Sequence, residues 1–202
     1  MTKTRIIAVA GGTASGKTTL ARDLVRVGGA SKLRIIPLDA YYRCNGHLTP
    51  EARALINYDH PDAFEVGLLE SHLVALTAGS AVDVPEYDFS THSRSAKTSH
   101  VAPPEVIVIE GILALHYPGL RQAYSRSVFV DTPDALRFTR RLARDVRERG
   151  RTEDSVHRQW EETVQPMHAQ FCAPTKAFAS EIFGGEGWND THVATLLERL
   201  LR

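Results

Sequence analysis

Residues 11–19 read GGTASGKTT and meet the pattern G-x-x-x-x-G-K-[ST] at Gly11, Gly16, Lys17 and Thr18. Residue types at this spacing suit the holding of phosphates. Glycines let the backbone curl until successive N–H groups point inward at phosphate oxygens. Lys17 then reaches the β- and γ-phosphates, and Thr18 offers a hydroxyl to a magnesium ion. The candidate nucleotide-binding loop is therefore Gly11, Gly12, Thr13, Ala14, Ser15, Gly16, Lys17, Thr18 and Thr19. A helix starting near residue 17 would add its positive N-terminal end. A motor, a switch or a kinase would all use such a loop, so the destination of the phosphate has to be read elsewhere.

Four further stretches carry candidate chemistry. LDAYYR (38–43) closes an apolar run, and Asp39 there could take the proton of a hydroxyl attacking the γ-phosphorus; a loop or helix-capping aspartate is the bland alternative. Glu110 ends the run VIVIE, where an acid can hold magnesium directly or through water, or can simply be a strand-end surface residue. Residues 134–151, DALRFTRRLARDVRERGR, hold seven arginines against Asp134, Asp145 and Glu148. Arg140, Arg144, Arg147 and Arg151 fall at i, i+4, i+7 and i+11, one stripe of a helix over 134–148, and with Arg137 and Arg141 cover about half its surface. So dense a set of guanidinium groups suits multidentate contact with phosphate oxygens in a closing lid, with Gly150 as a hinge. NYDHPDAF (57–64) and PEYDFSTHSR (85–94) combine aromatic rings with Asp and His in expected loops, able either to stack a flat heterocycle or to anchor a loop to the core.

The elements that must position these residues are legible as buried strands. RIIAVA (5–10), LRIIPL (33–38), VIVIE (106–110) and SVFVD (127–131) are nearly continuous apolar runs, the pattern of strands covered on both faces of a parallel sheet. Helical patterns lie between them at 17–27, 66–78 and 134–148, and 153–180 reads as helical but interrupted by Pro166 and Pro174. A weak strand at 181–183 precedes a last helix near 190–201. This alternation predicts an α/β fold, a doubly wound parallel sheet with helices on both faces. The expected organisation is a single domain over 1–202, with a loop or hairpin insertion at 79–104 and a lid at 137–160.

Composition narrows the class. With 202 residues, 43% hydrophobic and 24% charged, the chain is an ordinary globular protein. Formal net charge is zero although 19 of the 24 basic residues are arginine. No global field therefore favours nucleic acid or an acidic membrane, and no aromatic residues interleave the arginine run. No apolar run approaches the ~20 residues of a membrane span. Cys44 and Cys172 make no disulfide framework, and a cytoplasmic, soluble protein is expected.

In these stretches the sequence resembles the uridine kinase (uridine-cytidine kinase) family of P-loop phosphotransferases. The matching segments are GGTASGKTT, LDAYYR, NYDHPDAF, YDFSTHSRS, VIVIEGILAL, VFVDTPDALR, RLARDVRERGR and QPMHAQFCAPTKAFA, in the family's order over residues 5 to about 180. NYDHPDAF and YDF-x-x-H-S-R are the particular ones. The resemblance implies transfer of the γ-phosphate of ATP or GTP, with Mg2+, to the 5′-hydroxyl of uridine or cytidine. It implies Asp39 as general base with Tyr42 beside the acceptor, and Asp59 with Arg141 on the ribose. Tyr87, Phe89 and His92 would surround the pyrimidine, with Arg151 and Gln159 as further nucleoside contacts, while Arg144 and Arg149 approach the phosphates. Thr18 and Glu110 are the candidate metal-side residues. A homo-oligomer, commonly a tetramer, and inhibition by pyrimidine nucleoside triphosphates are also implied. Related readings are a phosphoribulokinase- or pantothenate kinase-like enzyme, or a nucleotide-dependent regulatory protein without an acceptor. The chain departs from the family in EIFGGEGWND, where Trp188 stands near the expected adenine-side contact and leaves ATP against GTP open.

Overall fold

The computed structural model describes residues 4–202. Five strands form a parallel sheet: β1 (Arg5–Gly11), β2 (Leu33–Pro37), β5 (Val106–Gly111), β6 (Arg126–Asp131) and β7 (Glu181–Gly184), in the order β2-β5-β1-β6-β7. The intervening strands β3 (Val82–Asp88) and β4 (Ser93–Val101) pair antiparallel in a separate two-stranded sheet. This hairpin falls within the 79–104 segment.

The central strands are apolar on both faces because both are covered. Alternate β1 residues Ile7 and Val9 pack with Leu20 and Leu24 of α1 (Lys17–Gly28) and with Val193 and Leu196 of the C-terminal helix α8 (Asp190–Leu201). Ile6, Ala8 and Ala10 point the other way, into a layer with Leu69 and Leu73 of α3 (Val66–Thr77) and Leu120 of α4 (Pro118–Ala123). Two cores separated by one sheet are the mark of a doubly wound α/β fold. Caps fix two helix starts: the Thr49 hydroxyl accepts from Ala52 N–H ahead of α2 (Pro50–Ala54), and Asn189 with His192 forms a reciprocal capping box on α8.

All five parallel strands end at one edge of the sheet, and the segments leaving that edge carry the candidate chemistry. Register fixes their heights: Val9 lies opposite Glu110, and Pro37 also lies opposite Glu110. Asp39 follows in a 3₁₀ turn, Leu38–Tyr41, whose start has no side-chain cap, so Asp39 is not spent on capping.

The arginine-rich helix differs from its sequence reading. Helix α5 spans Asp134–Arg149 and is closed by Gly150 in the left-handed region at φ 62°, so Arg151 lies beyond the cap and the four-residue stripe is broken. Nor do the arginines simply coat the surface. Arg137 and Arg141 are buried, at 1% and 6% exposure, because acceptors distant in sequence meet them inside. Arg147 alone reads as a solvated partner, paired with Glu148.

The prolines at 166 and 174 also behave differently from the expected interruption. After α6 (Glu153–Gln159) the chain stays helical to Phe178. Wide π turns at Trp160–Val164 and His168–Cys172 flank the short α7 (Gln165–Met167), so Pro166 sits where the regular α-helical repeat is already interrupted. Pro174 likewise opens a 3₁₀ segment, Ala173–Phe178.

The end of β5 tests how tightly this edge is built. A Cβ on Gly111 would lie 2.5 Å from the Leu38 Cβ, the residue that leads into the Asp39 turn. Gly111→Ala should therefore destabilise by about 2 kcal/mol. Thermal unfolding should show a Tm lower by roughly 4–8 °C; an unchanged Tm would mean this packing is looser than described.

Candidate active site

The phosphate-binding loop is shaped by its glycines. Gly11 (φ 149°), Ala14 (φ 57°) and Gly16 (φ 98°) turn the chain, and Ser15 N–H donates to the Gly12 carbonyl at 3.1 Å. Gly16 is the N-cap of α1 and has no side chain to accept from the first-turn amides, which leaves them for a ligand. Close neighbours enforce glycine here. A Cβ at Gly12 would meet the Arg137 guanidinium, and one at Gly16 would lie 3.0 Å from the Trp188 ring. The Ser15 side chain is wholly buried, and its carbonyl accepts from Thr132 Oγ1 at 2.8 Å, which ties the loop to the end of β6.

Glu110 is buried rather than a surface residue. Thr18 Oγ1 donates to its Oε1 at 2.8 Å, and Lys17 Nζ lies 3.7 Å from the same atom. A hydroxyl and a carboxylate side by side, next to a cationic amine and free amides, form a donor set that fits a hard divalent ion accompanying phosphates. Among the described residues no cluster of three or more His, Cys, Asp or Glu forms an all-protein metal cage. An ion here would therefore rely on phosphate and water for its remaining ligands.

One open cleft of about 1580 Å³ runs from this loop to the hairpin. It is lined by Lys17, Thr18 and Glu110 at one end and by Tyr42, Tyr87, Phe89 and His92 at the other, with Asp39 and Asp59 between. Arg141, Arg144, Arg149, Arg151 and Gln159 line it from the α5–α6 side. Of the nucleotide-loop residues, Gly11, Gly12 and Ser15 lie beneath its floor rather than on it.

The aromatic end is a nest of rings. Tyr42 stacks on Phe64 (4.4 Å between centroids) and meets Tyr87 at 4.9 Å and Tyr58 at 5.2 Å. Tyr87 contacts Phe89 edge-on at 5.1 Å, and Tyr58 stacks parallel to His92 at 5.3 Å. His92 sits in the left-handed region, φ 50°, at the hairpin tip, and the Tyr58 hydroxyl donates to its carbonyl at 3.3 Å. Burial, reinforced by Arg151 and Arg149, holds the His92 imidazole below its usual pKa, so it is neutral at pH 7 and can both donate and accept. The Tyr87 hydroxyl is buried beside Tyr58, and burial pushes it well above the usual phenol range.

Asp39 feels both ends of the cleft. Burial and the nearby Glu110 raise its carboxyl to about 6, against the opposing pull of Lys17 and Arg149. Burial also raises Asp59, offset by Arg141. A chain of contacts joins the two ends: Arg141 Nη1 donates to Thr13 Oγ1 at 2.9 Å and its Nη2 to Gln159 Oε1 at 2.8 Å, and Gln159 also accepts from Arg151. Arg149 lies over the Phe89 ring at 5.1 Å, so the arginine segment touches the hairpin across the cleft.

Three residues were not singled out as functional from sequence. Tyr58 completes the ring nest from within NYDHPDAF, a segment that itself was the signal. Arg137 is buried against Trp160 at 5.3 Å and reaches Thr13 O at 3.5 Å, behind the phosphate loop. Asp145 is fully buried among arginines. Trp188 is held by its Nε1 donating to Asp23 at 2.9 Å, beside Arg140, whose Nη1 donates to Gly185 O at 2.8 Å. Together they wall the far phosphate-loop end.

The model of the Phosphoribulokinase / Uridine kinase family matches residues 6–192. A protein named uridine kinase from Chloroflexus aggregans is 47% identical over 195 residues, covering 96% of this chain and 93% of its own. One of the same name from Deinococcus deserti is 45% identical over 195 residues, covering 96% and 94%. Among solved structures, phosphoribulokinase from Rhodobacter spheroides superposes with a TM-score of 0.66 at 15% identity, over 91% of this chain and 71% of that one, a likeness of fold.

The charge on Asp39 has a cost that stability can read. Its folded pKa, about 6, lies above the unfolded value near 3.8, so the fold binds the proton more tightly. Its contribution is therefore present at low pH and lost as pH rises through about 6. Asp39→Asn should be more stable than the parent at pH 8, by about 3 kcal/mol. The gain should shrink as pH falls through about 6 and vanish below about pH 3; a variant less stable than the parent at pH 8 would contradict the assignment.

Proposed function

The chain belongs to the phosphoribulokinase/uridine kinase family, and from that premise we propose that it is a pyrimidine ribonucleoside kinase. It transfers the γ-phosphate of ATP or GTP to the 5′-hydroxyl of uridine or cytidine. The observation that carries the reading is the division of one cleft between a phosphate loop and a ring nest, with Asp39 between them.

The acceptor alcohol is a weak acid, so orientation dominates over proton removal. Tyr42, Tyr87, Phe89 and His92 wall the end of the cleft that receives the flat pyrimidine ring. Asp59 and Arg141 take the ribose hydroxyls, assisted by Arg151 and Gln159. A deoxyribose would leave the Asp59 carboxylate short of a partner, the kind of loss a polar site uses to discriminate. Asp39 aligns the 5′-hydroxyl and accepts its proton as the bond to phosphorus forms. Lys17, Arg144 and Arg149 bear on the transferring group, where charge spreads over the equatorial oxygens. Thr18 and Glu110 would hold Mg2+, which supplies charge neutralisation on the β- and γ-phosphates. The whole chain acts as one domain in this reading, with residues 79–104 as the nucleoside-side insertion and 137–160 as the lid.

The donor base falls near Trp188 and Arg140. A ring platform fixed by Asp23 offers a π face that either purine can use, so stacking rather than edge recognition governs the donor. Of the two tryptophans, Trp160 is 7% exposed and Trp188 lies on the cleft. ATP and GTP should each quench the fluorescence, Trp188→Phe should abolish the change, and tripolyphosphate should give little of it. Quenching unchanged in Trp188→Phe would move the base elsewhere.

A coupled ADP-release assay with uridine, cytidine, ribulose 5-phosphate and pantothenate separates the family's chemistries. Strong release is expected with the first two only. Asp39→Asn should keep nucleoside affinity within a few-fold and lose about 10²–10⁴ in turnover. Release driven by ribulose 5-phosphate, or full turnover by the variant, would refute the reading.

A further inference from the structure

Asp145 has no exposed surface, yet it lies on the helix richest in positive charge. Arg144 approaches its Oδ1 with both Nε and Nη2 at 2.8 Å. Arg141 Nε is 3.4 Å from Oδ2, Arg149 Nη1 is 3.5 Å from Oδ1, and Arg151 Nη1 is 3.9 Å from Oδ2. The Asp145 backbone also serves the turn: its carbonyl accepts from Gly150 N–H at the helix cap and from Arg151 N–H at 3.1 Å. That turn is what brings Arg151 back to a carboxylate six positions earlier.

An exposed helical ion pair is weakly stabilising and needs one partner. This carboxylate is withdrawn from water and shared by four cations, all of which also line the cleft. Guanidinium groups crowded within a few ångström of one another, and partly withdrawn from water, repel. Without an anion at their centre they would splay.

We infer that Asp145 is a positioning residue, whose buried carboxylate gathers Arg141, Arg144, Arg149 and Arg151 into a fixed fan facing the cleft. The inference rests on the kinase reading for its catalytic half. Asp145 touches no substrate. One negative charge against four positive ones leaves an excess that a phosphate group completes, so the fan is pre-arranged for an anion rather than assembled by it. The orientation of the donors is set before the ligand arrives, which is where preorganised electrostatics gain their advantage.

The experiment combines kinetics with a spectroscopic reading that needs no turnover. In the wild-type protein the arginine side-chain ¹H–¹⁵N signals of Arg144 Nε–H should be resolved and slow to exchange with water. In Asp145→Asn, which keeps shape and the backbone contacts, that signal should collapse to the exchange of a free arginine. For uridine phosphorylation, Asp145→Asn should lower kcat/KM roughly ten- to a hundred-fold. The same change made on an Arg144→Gln/Arg149→Gln background should cost less than about threefold, since a residue acting through those arginines has little left to act on. Asp145→Glu should recover part of the loss. An equal cost on both backgrounds, or a wild-type Arg144 Nε–H as labile as a free one, would overturn the inference, and the second reading stands even if the variant fails to fold. Pinned arginine signals with no nucleoside-dependent ADP release from the wild type would instead overturn the kinase reading and with it the catalytic half of this inference.

Discussion

Positive charge gathered along one wall of the cleft is what the remainder of the site has to accommodate. Lys17, Arg140, Arg141, Arg144, Arg149 and Arg151 all border the same space. Glu110 holds Lys17, Gly185 O holds Arg140, and the other four share Asp145. Burial and mutual repulsion lower the pKa of Arg141 and Arg149 from the usual guanidinium range, the direction expected of cations crowded away from water. The same field keeps His92 neutral and moderates the rise of Asp39. A phosphate-bearing ligand relieves this crowding, so affinity for it and the electrostatics of the empty site are one property.

Rigid and adjustable parts are divided accordingly. The phosphate loop is fixed by strand β1, by Thr132 from β6 and by the buried Arg137 behind it. Asp39 is fixed by the packing of Leu38 against Gly111. Tyr87, Phe89 and His92 of the ring nest sit on the hairpin, whose Val82, Val84 and Val101 are buried in the same core as Ile6 and Ala8 of β1 and which is tied further by the Arg94–Glu65 pair at 2.7 Å. The arginine segment meets that hairpin through Arg149 over Phe89, a contact that can break and re-form without disturbing either core.

Much of this was legible in the residues because local patterns and tertiary demands agree. Runs such as VIVIE suit strands covered on both faces, and the glycine loop between β1 and α1 follows from its spacing. What escaped was governed by distant partners. Periodicity places Arg137 and Arg141 on the helix surface among the phosphate-directed arginines; only the folded chain shows Thr13, more than a hundred residues earlier, accepting from them inside. Asp145 reads as one acid among arginines, and its role as their common partner depends on the turn at Gly150. Prolines 166 and 174 look like breaks because sequence rules assume an α-helical repeat, whereas the chain widens into π turns around them. Glu110 and Asp39 each had a bland alternative in sequence, and the geometry decides against surface exposure for the first and capping for the second.

The most direct measurement is a crystal structure of the ternary complex with uridine and a non-hydrolysable ATP analogue. The account predicts the pyrimidine between Tyr87, Phe89 and His92, and the 5′-oxygen within about 3 Å of an Asp39 carboxylate oxygen, in line with the terminal phosphorus. A nucleoside bound outside the ring nest, or its 5′-oxygen turned away from Asp39, would contradict it.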